Sequence, residues 1–74
     1  MVTHWESYRH YKGGTFTLIG IAENSNERSE ELAVYVSHQR RKLLVRPAVE
    51  FFGLVTLEDG TEAKRYQRIE EESP

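Results

Sequence analysis

No connection between the apolar runs of this chain has both the length and the apolar periodicity of a helical crossover. The runs are short and rich in β-branched and aromatic residues: "TFTLIGIA" at 15–22, "LAVYVSH" at 32–38 and "LLVR" at 43–46. Such stretches suit strands. A parallel pair needs a connection of about a dozen residues or more, usually a helix. The sheet is therefore expected to be mostly antiparallel.

Local signals place the remaining pieces. Tyr8 to Tyr11 alternates rings and polar side chains, then meets Lys12-Gly13-Gly14, whose glycines offer the positive φ angles of a tight hairpin. Glu23 to Glu31 has no apolar residue and reads as a solvated connection, with Ser29 placed to cap at most a single helical turn. In the strand that follows, Leu32, Val34 and Val36 share one face, and Ala33, Tyr35 and Ser37 the other. "QRRK" is a polar turn, and Pro47 ends the next strand because proline donates nothing to a ladder. Pro47 also suits the first turn of a helix, so "PAVEFF" reads as one helical turn with Phe51 folded back onto the sheet. "GLVTLEDGTEAKRYQRI" reads as a closing hairpin around Asp59-Gly60.

The expected fold is mainly β: a small single-domain antiparallel β-barrel-like sheet of five or six strands, with one short helical turn near residues 47–52. The domain is expected over 1–70, with a frayed acidic tail at 71–74. A short sheet of this kind protects its edges by curling into a partly open barrel or by pairing edges in a dimer.

Size limits what the chain can do. A domain of 74 residues buries only about 60% of the surface of its unfolded chain. With no cysteine, neither a disulfide nor a thiolate zinc site supplements that core. No apolar run approaches the roughly 18 residues of a membrane span, and Met1 to Glu6 lacks a basic segment followed by an apolar one. A soluble, unexported, cytoplasmic protein is expected. The net charge of −2 argues against a general nucleic-acid coat. The charges are segregated, however: acids dominate 23–31 and 70–72, whereas Arg40, Arg41, Lys42 and Arg46 occupy a stretch without acids.

The order of "YRHYKGG", "IGIA", "LAVY", "LLVRP", "FF" and "RYQRI" resembles a family of short, mainly bacterial proteins known as domain of unknown function 1653. The resemblance runs from Tyr8 to about Ile69. It rests on Arg9 to Gly13, on Val34 and Tyr35, on Val45 to Pro47 with Phe51, and on Arg65 with Tyr66. The chain departs from the family pattern at Asn24-Ser25, where histidine-serine is common, at Leu44, where tryptophan is common, and at Lys64, where proline is common. The resemblance implies no activity, substrate or partner.

The candidate ligand-binding residues are Arg9, His10, Lys12, Tyr35, Arg46 and Arg65. Arginine forks and glycine-turn amides are the groups that grip phosphate or carboxylate. Alternation along a strand sets His10 and Lys12 on one face and Arg9 on the other, so two separate cationic sets are expected rather than one. Pairing with the chain's acids is the competing explanation for these charges. Tyr8, Tyr11, Tyr35 and Tyr66 could stack on bases or simply form core. His4, His10 and His38 match no metal-ligand spacing, and no serine elbow, cysteine nucleophile or phosphate-cradling glycine loop is present. No catalytic residue, metal or cofactor is assigned. A small enzyme with His10 as base beside Glu50 is the least favoured reading.

The expected function is a small binding module that presents a basic-aromatic surface to an anionic ligand, a nucleic acid or a phosphate-bearing molecule. The alternative is a protein-interaction or homodimerisation module that pairs through an exposed strand edge.

Overall fold

Hairpins in sequence order lay down most of the molecule. In the computed structural model residues 2–69 are described, with side chains from residue 5 onward. Strands β1 (Val2–His10), β2 (Thr15–Asn24), β3 (Glu27–Ser37) and β4 (Lys42–Pro47) follow one another, each antiparallel to the last. Then come helix α1 (Ala48–Phe51), β5 (Leu54–Thr56), β6 (Glu62–Lys64) and β7 (Tyr66–Arg68). The tail expected at 71–74 lies outside the described residues.

The main sheet has the order β4-β3-β2-β1-β7, and β5 pairs with β6 in a separate two-stranded sheet. The mainly β, antiparallel architecture and the single helical turn after Pro47 agree with the sequence. Among the described residues there are seven strands, five of them in the main sheet, against a sheet of five or six expected. Among the described residues β4 and β7 form the two edges, and no pairing between them closes a barrel.

Two departures from the sequence reading have simple causes. The polar stretch at 23–31 is mostly strand: only Ser25 and Asn26 turn, and Asn24 caps that turn by accepting from the Asn26 amide at 2.9 Å. Its residues are polar because the tip of this long hairpin is largely exposed, not because they form a loop. Ser29 therefore caps no helix and donates its hydroxyl to the Glu27 carboxylate at 2.7 Å. The final segment, in turn, splits in two. The Arg65 amide donates to Gly53 O at 3.0 Å, which ends the small hairpin, and Tyr66–Arg68 crosses to β1.

The core lies on one face of the main sheet. Of the two faces of β3, Ala33, Tyr35 and Ser37 are buried, while Leu32, Val34 and Val36 are half-buried. Phe51 caps that core with no exposed surface, stacked on Tyr66 with ring centroids 4.2 Å apart and edge-on to Tyr8 at 5.2 Å. Leu18 completes the fully buried apolar centre. The core is chiefly aromatic, and such ring pairs add about 0.5–1.5 kcal/mol each beyond their burial.

Candidate functional site

Cross-strand register decides which of the candidate residues meet. His10 stands opposite Tyr66, Ala33 opposite Arg46, and Tyr35 is two residues along from Ala33, so all five belong to the core face. Arg9 stands opposite Thr15 on β2 and Gln67 on β7, and it faces the other way. The structure thus separates Arg9 from the rest, as strand alternation required.

At the rim of the core face the Tyr35 hydroxyl is a junction. It accepts from the Tyr66 hydroxyl at 3.2 Å and from Arg46 Nε at 3.4 Å. Burial, and then the bond to Tyr35, push the Tyr66 phenol up to about 12. Arg46 Nη1 reaches the Glu50 carboxylate at 3.3 Å, so α1 contributes one acid to this rim. Arg65 Nε donates to the backbone oxygen of the same Glu50 at 3.2 Å. One helix residue therefore anchors both guanidinium groups. Each guanidinium carries five donors, more than these contacts use among the described residues.

His10 sits beside them. Its ring packs against Tyr11, Phe16 and Tyr66, and its Nδ1 accepts the Lys12 amide at 3.1 Å. That bond leaves the proton of the neutral ring on Nε2. Burial, followed by the nearby charges of Arg46, Arg65 and Lys12, pushes the imidazole below its ordinary value. Lys12 itself lies over the Tyr11 ring, 5.7 Å from its centroid. His10, Lys12, Arg46 and Arg65 thus share one patch with the Tyr35 hydroxyl, and Glu50 offsets part of its charge.

Most of the tyrosine platform is withdrawn from solvent. Tyr8, Tyr35 and Tyr66 are core rings, each less than a tenth exposed, and only Tyr11 shows a large part of its ring. Tyr35 brings a hydroxyl to the site rather than a stacking face. His38 is held by the Thr15 and Thr17 hydroxyls at 3.0 and 2.6 Å, while the side chain of His4 lies outside those described. Glu50 is the site member that the ligand reading of the sequence missed. The spacing of Arg46 and Glu50, four residues apart across a proline-initiated turn, was its only signal.

A family model described as "Protein of unknown function (DUF1653)" matches residues 6–68. A crystal structure of a protein from Bordetella bronchiseptica, described as belonging to DUF1653, aligns with a TM-score of 0.78 at 23% identity, covering 96% of this chain and 92% of that one. At that identity the likeness shows a shared fold. No curated protein matches this chain. The matched span covers nearly all of the described sheet, and the chain belongs to the DUF1653 family of proteins of unknown function.

Proposed function

We propose that this domain is a small binding module whose rim of His10, Lys12, Arg46 and Arg65, grouped around the Tyr35 hydroxyl, takes an anionic ligand. The observation that carries this reading is that Arg46 and Arg65 both bond Glu50, with Arg46 also on the Tyr35 hydroxyl and His10 packed against Tyr66 beside it. Like charges seldom converge without a counter-ion, and here Glu50 pairs with Arg46 at the rim. A phosphate group suits the two arginine forks. With most tyrosine rings buried, contacts to phosphate are favoured over stacking on bases. A barrel-like curl of the sheet, supported by register shifts at 3/6, 18/20 and 23/24, would make this rim concave. No helix among the described residues is long and apolar enough to cross a membrane. A cysteine-free chain suits a reducing compartment, and we place the module in the cytoplasm.

The test is an NMR titration with inorganic phosphate, a mononucleotide and a short oligonucleotide at low salt. Shifts should centre on His10, Arg46 and Arg65 and weaken steeply with added salt, and Arg46→Gln should lower affinity about tenfold. Absence of shifts with all three ligands at low salt would remove the reading.

A role in protein interaction through a strand edge is the second reading. The free edge of β4 carries Lys42 and Arg46, beside Arg40 and Arg41 in the preceding turn. Two copies of that edge would set these cations side by side, so a strand bearing acids fits it better than a second copy does.

A further inference from the structure

We infer that the sheet face opposite the aromatic core is a self-association surface, on which a second copy of this chain packs face to face. Three cross-strand pairs define it: Leu32 opposite Pro47, Val34 opposite Val45 and Val36 opposite Leu43. None of the six is charged, and Leu43 and Val45 are 65% and 61% exposed. An antiparallel sheet with one solvated face normally shows polar residues there. The helix supplies no cover, because its buried residue, Phe51, packs on Tyr8, Tyr35 and Tyr66 of the other face.

The molecule's dimensions agree with a missing layer. It is a slab, 38 × 36 × 22 Å, and its radius of gyration of 13.2 Å exceeds the about 11 Å of a compact domain of this length. It exposes 5662 Å², roughly 900 Å² more than the size scaling gives for a monomer of this mass. A standard interface buries about 800 Å² per partner. The surplus is of that size, while among the described residues the core holds six buried apolar side chains, and the chain has no covalent staple. A charged partner would find nothing to pair with among the six residues, whereas an uncharged face complements itself across a two-fold axis. Two sheets in contact would lie about 10 Å apart with their strands roughly 30° from parallel. This surface lies on the other side of the sheet from the proposed anion rim, so the two readings stand or fall independently.

Sedimentation equilibrium of the full chain over about 1 to about 300 µM tests the inference by mass action. The expected result is a mass rising to twice the 8.7 kDa of one chain. Leu43→Lys changes an exposed side chain, keeps the monomer fold by circular dichroism, and should weaken dimerisation at least tenfold. Val34→Lys charges the same face from β3, which is flanked by strands on both sides, and should weaken it similarly. A wild-type mass that stays at one chain throughout overturns the inference. So does a dimer whose affinity is unchanged in a folded Val34→Lys variant, since that would place the contact at an edge.

Discussion

The Tyr66 hydroxyl donates to the Tyr35 hydroxyl across 3.2 Å, joining the last strand of the main sheet to its second-from-edge strand over a separation of 31 residues. Both rings are almost fully buried, so this pair is the polar end of an otherwise apolar core. Arg46 closes it from outside by donating to the same oxygen.

That geometry ranks two substitutions. Tyr66→Phe removes one donor and should cost about 1 kcal/mol, the net value of an ordinary hydrogen bond. Tyr35→Phe removes the acceptor for two donors and should cost about 2 kcal/mol. Urea unfolding measures both, and the reverse ranking would show that the Tyr35 oxygen is not the junction.

Phe51 is the single largest cap of the core. Phe51→Ala should cost about 3–5 kcal/mol through lost burial and the cavity left behind. A domain of 74 residues holds roughly 4 to 11 kcal/mol in total. The expected outcome is therefore a melting temperature far below that of the wild type by circular dichroism, while Phe52→Ala, at a ring that is 45% exposed, melts close to it.

Alkaline pH should act through Tyr66. Its folded-state value is pushed up to about 12, against about 10 in an unfolded chain. The unfolded state thus loses this proton first as pH rises. The contribution is complete below pH about 10 and is lost as pH climbs towards 12. Urea midpoints across that window should fall more steeply for the wild type than for Tyr66→Phe; equal slopes would argue against a buried, bonded phenol.

His10 titrates in the opposite sense. Its lowered value means that the unfolded chain takes up the proton first, so this term lowers stability as pH falls below about 6.5 and raises it on return to neutrality. An anion bound at the rim reverses the local field. Inorganic phosphate should therefore raise the His10 value in an imidazole NMR titration.

Backbone conformation gives a paired prediction. Arg41 adopts φ +55° in the turn between β3 and β4, a left-handed state that costs a side-chain-bearing residue about 1 kcal/mol, so Arg41→Gly should stabilise the domain. At Gly53 an added Cβ would meet the backbone oxygen of Val49 at 2.6 Å. Gly53→Ala should therefore destabilise, and thermal melts should move in opposite directions for the two variants.

Several features were legible without coordinates. Alternation along "YRHY" separated Arg9 from His10, and the two-residue period of "LAVYVSH" sorted β3 into two faces, because side-chain direction in a strand follows from chain geometry alone. Pro47 announced both the end of β4 and the start of α1, since its ring fixes φ and removes a donor. The lengths of β2 and β3 were missed because a polar hairpin tip and a polar loop have the same composition; only pairing tells them apart. Tyr66–Arg68 looked like the return arm of a hairpin, whereas its partner is β1, nearly the full chain length away.

By itself, then, the sequence determined the class: short β-forming runs on short connections leave no route to a parallel sheet, and the residues it holds in family order mark the same fold. Tertiary structure alone decided which groups meet. Register between β1, β3, β4 and β7 brought His10, Tyr35, Arg46 and Tyr66 to one face, and the turn of α1 set Glu50 between Arg46 and Arg65. These contacts depend on alignments between distant strands, which a local pattern of side chains does not encode, because a shift of one residue would turn every one of them to the opposite face.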